Sequence, residues 1–348
     1  MQIPSGNDNK KRKSNGPGGL NRSLSDGPFP GKLQKTALRR NGGGNLYSVR
    51  SRVFAALLSI SSALAQAPSS LAGVRGDIAV GAQYDSSHVY VEPAEVEPFV
   101  TSFLGTFGGT STKPALVTVT PTPSKTNSQL LQTPVGIVSL FAYTTPIPAP
   151  FGAERTGYLV KDLDEALRAV QAAGGEVVVP AFADPIGRDA IVRFPGGVMM
   201  QLYWHTTPPH YPAFVHVPEN RVYLSSKAAN KFIRSFRMFA DARIVSDEPQ
   251  ADGVAIGRPG HTYRRVGLGS LFGRMTLMVT DLQTGYPYGR ETTGYEVDDL
   301  ASTLTKAKGV GVKVLTEPVR VDGRTAVMVE FPGGYFAEIH SVLAAGAK

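Results

Sequence analysis

The chain repeats itself with a period near 137 residues, and a repeat of that length fixes the organisation before any single residue is weighed. Pro150-Phe-Gly-Ala-Glu-Arg-Thr-Gly157-Tyr-Leu-Val-Lys-Asp-Leu163 returns as Pro287-Tyr-Gly-Arg-Glu-Thr-Thr-Gly294-Tyr-Glu-Val-Asp-Asp-Leu300, an offset of 137. Gly187-Arg188-Asp-Ala190 returns as Gly323-Arg324-Thr-Ala326 with an offset of 136, and Phe194-Pro-Gly-Gly197 as Phe331-Pro-Gly-Gly334 with 137 again. Upstream, His88-Val-Tyr-Val resembles Arg221-Val-Tyr-Leu at an offset of 133. Val96, Phe99, Val100 and Phe103 recur as Ala229, Phe232, Ile233 and Phe236, a spacing of i, i+3, i+4, i+7 that marks one face of a helix. The body is therefore a tandem duplication, with units over residues 84–210 and 214–345.

Each unit divides again. Residues 158–160 read as a strand, and Asp162-Leu-Asp-Glu165 forms a capping box that opens a helix with Leu163, Ala166, Leu167 and Val170 on its apolar face. Gly174-Gly175 ends that helix, and strands follow over residues 176–179, 189–194 and 198–205, the last two joined by Pro195-Gly196-Gly197. The first half of the unit gives a strand over 87–91, a helix over 94–104, and apolar runs over 115–120 and 135–143. The expected fold class is α+β, with four βαβββ modules filling the body.

Charge is unevenly spread. Met1 to Arg75 carries 12 Lys and Arg against 2 Asp and Glu, and the remainder 24 against 26. The body thus lacks the positive excess that phosphate binding needs, and no nucleic-acid partner is expected. Cysteine is absent, which excludes disulfides, thiolate metal sites and cysteine nucleophiles. Residues 1–45 read as a disordered basic extension. Arg50 and Arg52, the apolar run over 53–64 and Ala63-Leu-Ala-Gln-Ala67 before Pro68 read as a signal segment cleaved after Ala65 or Ala67. Val49 is an alternative start, and residues 1–67 form a separate leading region. The expectation is an exported protein, cytoplasmic if that segment is instead a short buried helix. The run is too short to span a bilayer, so no stable membrane span is expected.

From Gly157 through Gly174-Gly175 to Phe194-Pro-Gly-Gly-Val-Met-Met-Gln-Leu-Tyr203, and again from Gly294 to Ile339, the sequence resembles the vicinal oxygen chelate superfamily of glyoxalase I, extradiol dioxygenases and bleomycin-binding proteins. The resemblance covers residues 84–342 and implies two glyoxalase-like units, each a cupped mixed sheet around a cavity. It also implies that metal ligands, where present, come from the first and last strands of paired modules. Those positions fall on His88, Gly157, Arg221 and Gly294, and on Ser139, Gln201, Thr276 and Glu338. With consecutive modules paired, neither set suits a divalent metal, so no metal and no other cofactor is expected. If modules one and four met instead, His88, Ser139 and Glu338 would share a weak site. Exchange of modules between chains leaves a homodimer open.

Alternation along residues 198–205 puts Gln201, Tyr203 and His205 on one face, and the matching strand presents Phe336, Glu338 and His340. These faces suit a pocket for a small organic molecule, or a polar sheet face open to water. His88 reads as a general base or a hydrogen-bonded core histidine. Glu338 reads as a proton-transfer group with a pKa raised by partial burial, or a carboxylate paired with an arginine such as Arg324. Arg188 and Arg324, at one place in the repeat, read as a clamp for an anion or as structural. Ser139 and Thr276 complete the expected ligand-binding set. Two functions stand: a metal-free binding protein, and an enzyme (lyase, isomerase or dioxygenase) working through His88 or Glu338.

Overall fold

A computed structural model describes residues 77–321 and 323–343, all within the compact unit Pro68–Lys348. The leading extension and the signal segment lie outside the described residues.

Module one runs β1 (Ser86–Tyr90), α1 (Val96–Phe107), β2 (Thr110–Ser111), β3 (Ala115–Val117), β4 (Thr126–Thr133) and β5 (Gly136–Tyr143). Module two runs β6 (Thr156–Leu159), α2 (Leu163–Ala172), β7 (Glu176–Ala183), β8 (Gly187–Phe194) and β9 (Val198–His205). Module three runs β10 (Glu219–Leu224), α3 (Ser226–Ala240), β11 (Arg243–Asp252), β12 (Thr262–Ser270) and β13 (Gly273–Val279). Module four runs β14 (Thr292–Glu296), α4 (Leu300–Gly309), β15 (Lys313–Val314), β16 (Val319–Val321), β17 (Arg324–Phe331) and β18 (Tyr335–Val342).

Consecutive modules share a sheet. The first sheet has the order β2-β4-β5-β1-β6-β9-β8-β7 and the second β11-β12-β13-β10-β14-β18-β17-β15, with β3 and β16 added at β4 and β17. In each, the first strands of two modules meet antiparallel at the centre, Ser86 opposite Gly157 and Glu219 opposite Gly294. Each first strand also lies parallel to the last strand of its own module.

Local chemistry explains the elements. Asp162 accepts the Glu165 N–H at 2.8 Å and Asp299 the Ser302 N–H at 3.0 Å, so α2 and α4 begin at side-chain caps. The β8–β9 and β17–β18 turns place Gly196, Gly197, Gly333 and Gly334 at φ of 92°, 83°, 78° and 79°, a left-handed pair that side chains with a Cβ avoid. β4 departs from the sequence expectation, which placed a strand over 115–120 and none here. Its Asn127, Ser128, Gln129 and Gln132 give no apolar periodicity, because much of this strand faces a cavity.

The apolar faces meet crosswise between units. α1 packs on α4, and Phe99, Phe103 and Phe107 interleave with Tyr295, Phe331 and Tyr335. α2 packs on α3, where Phe194 of unit one sits among Phe232, Phe236 and Phe239 of unit two. Both large cores therefore draw on both units. At the seam, the Ser87 and Thr293 hydroxyls lie 2.8 Å apart and Asn220 donates to the Tyr158 hydroxyl at 3.0 Å.

A shared core makes the two units one cooperative body. Phe236→Ala in unit two should cost about 3–5 kcal/mol. The loss should be reported by Trp204 of unit one, the single tryptophan, which packs against the same core. Urea unfolding followed by tryptophan fluorescence and by circular dichroism should give one coincident, equally shifted transition. A tryptophan transition unmoved by the variant would mean that the units unfold separately.

Candidate functional site

Both cups are framed by the same register. His88 lies opposite Ser139, Gly157 opposite Gln201, Arg221 opposite Thr276, and Gly294 opposite Glu338. These are the positions the resemblance implied, and the two cups fill them with different chemistry.

The first cup holds a cavity of about 460 Å³ lined by His88, Ser139, Gln201, Tyr203 and His205, with β4 adding Ser128, Gln129 and Gln132. His88 is 2% exposed and its ring meets the edge of Phe141 at 5.4 Å between centroids. Its Nδ1 lies 3.6 Å from Oε1 of the fully buried Glu154, which also accepts the Tyr90 hydroxyl. Nε2 lies over Gly157, where a Cβ would approach it to 2.4 Å, so only glycine fits beneath the imidazole. Ser139 donates to the Ser86 hydroxyl at 3.0 Å, and the Tyr203 hydroxyl donates to the Tyr84 carbonyl.

Asp189 lies beside Tyr203 across β8–β9 and lines the same cavity. Burial, then the nearby charges of Asp184 and Glu154, hold its pKa well above the usual carboxylate range. Burial raises Asp184 as well, against the opposing N–H bonds of Ile186 and Gly187. Burial lowers His205, with Asp184 opposing.

The second cup is packed with charge. Arg221, 1% exposed, donates to Glu338 and lies 3.7 Å from Glu219. Arg324 bonds Glu219 at 2.9 Å and approaches Glu338 to 3.8 Å, while His340 Nδ1 lies 3.2 Å from Glu338. Thr276 hydrogen-bonds Glu219. Burial opposes ionisation of Glu338, but Arg221, then His340 and Arg324, override it and draw the pKa down to about 2. Of the two readings of Glu338, the geometry gives the carboxylate paired with arginine, with Arg221 as its direct partner and Arg324 beside it, and the raised pKa of the other reading is corrected. Glu219 is likewise drawn down against its burial, by Arg221 and Arg324.

His88, Ser139, Gln201, Tyr203 and His205 come together in the first cup, whereas Glu338, Thr276, His340 and Arg324 belong to the second and do not line that cavity. Arg188 joins neither. It pairs with Asp164 of α2 at 2.9 Å on the exposed helix side. A common clamp by Arg188 and Arg324 is corrected by the register: Arg188 lies opposite Trp204 and Arg324 opposite Val342, one step out of phase in the repeat. One step reverses the face. Glu154 and Asp189 were not among the sequence-derived site residues. The recurrence of Glu154 as Glu291, at an offset of 137, was the available signal for the first.

Neither donor set fits a divalent metal. The first offers one imidazole with a hydroxyl, an amide and a glycine, and the second puts a guanidinium at a ligand position. Among the described residues no three His, Cys, Asp or Glu side chains converge as a ligand group.

The ion cluster makes two tests. Arg221→Met should destabilise by about 3–5 kcal/mol, because it leaves buried carboxylates short of a partner. Since the folded-state pKa of Glu338 is depressed, its contribution is present above the unfolded value of about 4.3 and is lost as pH falls towards about 2. Melting temperature against pH should therefore have a shallower acid limb in Glu338→Gln; identical limbs would contradict the assignment.

No protein-family model and no curated protein matches the sequence. Among solved structures, the chain is similar to a triple variant of 4-hydroxymandelate synthase from Streptomyces coelicolor, at 14% identity over 76% of this chain and 93% of that one, with a TM-score of 0.51. It is less similar to 2,2',3-trihydroxybiphenyl 1,2-dioxygenase from Sphingomonas wittichii, at 14% identity over 75% and 90% of the two chains with a TM-score of 0.49. A 2,3-dioxygenase from Pseudomonas aligns at 13% identity over 76% and 93%, with a TM-score of 0.47. Identities this low speak to fold and leave chemistry open. The described chain shares the fold of 4-hydroxymandelate synthase, here two cupped sheets each built from two βαβββ modules.

Proposed function

We propose that the protein binds a small organic molecule in the first cup without a metal ion, and that the second cup is a closed structural counterpart. The observation that carries this reading is the contrast between cups of one register: an apolar and polar cavity of about 460 Å³ in one, a compact ion cluster in the other. A volume of that size with a few convergent polar groups suits a ligand of one or two rings.

A thermal-shift screen with small aldehydes, catechols and aromatic compounds tests it. At 100-fold excess over its dissociation constant a ligand adds about 2.7 kcal/mol. Gly157→Ala, whose new methyl collides with the His88 ring, should abolish that shift. Elemental analysis should find well under one equivalent of transition metal. Near-stoichiometric Zn, Ni, Mn or Fe, lost in both His88→Ala and Glu338→Gln, would overturn the metal-free reading.

The setting of His88 supports a second reading, an enzyme of the same fold. An imidazole that lines the cavity with a buried carboxylate near its Nδ1 is suited to accept a ligand proton and return it. In that case His88→Gln should abolish turnover of a ligand that it still binds. Export is proposed on the leading segment alone: protein recovered from its native cell should begin near Gln66 or Pro68, and intact Met1 in the cytoplasm would remove the proposal. Among the described residues no helix is long and apolar enough to cross a membrane.

A further inference from the structure

The charge inventory of the first cup is one-sided. Asp189 is 4% exposed and aims into the cavity, and among the described residues no hydrogen bond or ion pair engages its carboxyl. The fully buried Glu154 lies close enough to repel it, and Asp184 lines the same wall. Against these acids the lining provides no arginine, one exposed lysine, Lys113, and the imidazoles of His88 and His205. An isolated carboxylate removed from water is costly, so such a group either keeps its proton or meets a cation. The second cup shows what compensation looks like in this fold: each of its glutamates faces two arginines.

The walls around Asp189 are aromatic. Tyr203 is its direct neighbour across the strands, the Tyr84 and Tyr211 rings lie 5.6 Å apart, and Phe141 closes the side next to His88. Ring faces attract an organic cation. A metal ion is a poor occupant, since no three ligating side chains converge. An anion would find no arginine in the lining to pair with, and Asp184 and Glu154 nearby.

Building on the reading that the first cup binds a small molecule, we infer that its ligand is a small organic cation, an ammonium ion carried on or near an aromatic ring, with Asp189 as counter-ion and Tyr84, Tyr203 and Phe141 as the surfaces it lies against. The cation takes the place of the proton on Asp189. Binding therefore releases a proton from a carboxyl faced by Asp184, Glu154, His88, His205 and Tyr203.

The test is calorimetric titration of the full chain with benzyltrimethylammonium, benzylammonium, benzyl alcohol and benzoate, on wild type and Asp189→Asn. Wild type should bind both cations about tenfold or more tighter than benzyl alcohol, the increment of one cation–carboxylate contact in a partly desolvated site. Their binding enthalpy should depend on the buffer, as proton release requires. Asp189→Asn should lose the preference and the buffer dependence, keep its affinity for benzyl alcohol, and melt at a higher temperature because an uncompensated acid is gone. Benzoate binding tightest, a cation preference unchanged in Asp189→Asn, or a lower melting temperature in that variant would each overturn the inference. Binding of benzyl alcohol without cation preference would overturn it while leaving the small-molecule reading intact. Failure of all four probes would also overturn it, and the wider thermal-shift screen then judges that reading separately.

Discussion

Side-chain alternation across the two cupped sheets governs the rest of the molecule. Successive side chains leave a strand on opposite faces, so one parity of every strand is committed to the helix layer and the other to a cup. The helix-layer parity is apolar: Val198, Met200 and Leu202 on β9, and Val327, Val329 and Phe331 on β17, all buried in the large cores. Those cores fix the register and leave the cup parity free to vary. A single slip then changes chemistry outright. Arg188 and Arg324 share a repeat motif, yet one braces α2 at the surface and the other helps seal a cup.

Comparing the cups position by position explains why one is open. Glu219 and Arg221 on β10 correspond to Ser86 and His88 on β1, because each pair lies opposite the equivalent glycine and last-strand residues. Glu338 corresponds to Gln201, His340 to Tyr203, and Arg324, by its place opposite Val342, to Gly187 opposite His205. The second cup thus carries long charged side chains where the first carries serine, histidine and glycine. Volume follows from those exchanges with no change of backbone plan. The cluster is tolerated because its two arginines and two glutamates balance, and buried pairs of this kind hold geometry more than they add stability.

Much of this was legible in the sequence because duplication and periodicity are written in apolar residues. The repeat located all four modules, Val96 to Phe103 and Ala229 to Phe236 announced helices, and Asp162 announced a cap. The ligand-position register was also readable, since His88, Ser139, Gln201 and Glu338 fall where strand pairing puts them. β4 was hidden because a strand facing a polar cavity loses the pattern that betrays a strand. Asp189 was hidden for a related reason. Its role depends on which charges are missing around it, and an absence of arginine in three dimensions leaves no local trace in a chain that carries 36 Lys and Arg. The difference between offsets of 136 and 137 was the one mark that separated Arg188 from Arg324. It was visible, but its meaning required knowing which face each strand turns to the helices.

An uncompensated acid at the first cup needs support from elsewhere, and the crosswise cores supply it. If each unit had its own core, the electrostatic cost of Asp189 and Glu154 would fall on unit one alone. Instead Phe194, on the same strand as Asp189 but turned to the helix layer, is held by Phe232, Phe236 and Phe239 of the unit whose own cup holds the balanced ion cluster. The apolar area that offsets the buried carboxyls is thus shared, at roughly 25 cal/mol per Å² of apolar surface removed from water. Opening the first cup locally would also disturb the helix layer of its neighbour, so the neighbour resists collapse around the cavity. Duplication followed by crosswise packing separates two tasks that conflict within one unit: one half keeps an open cup lined by acids, and the other holds the scaffold around it.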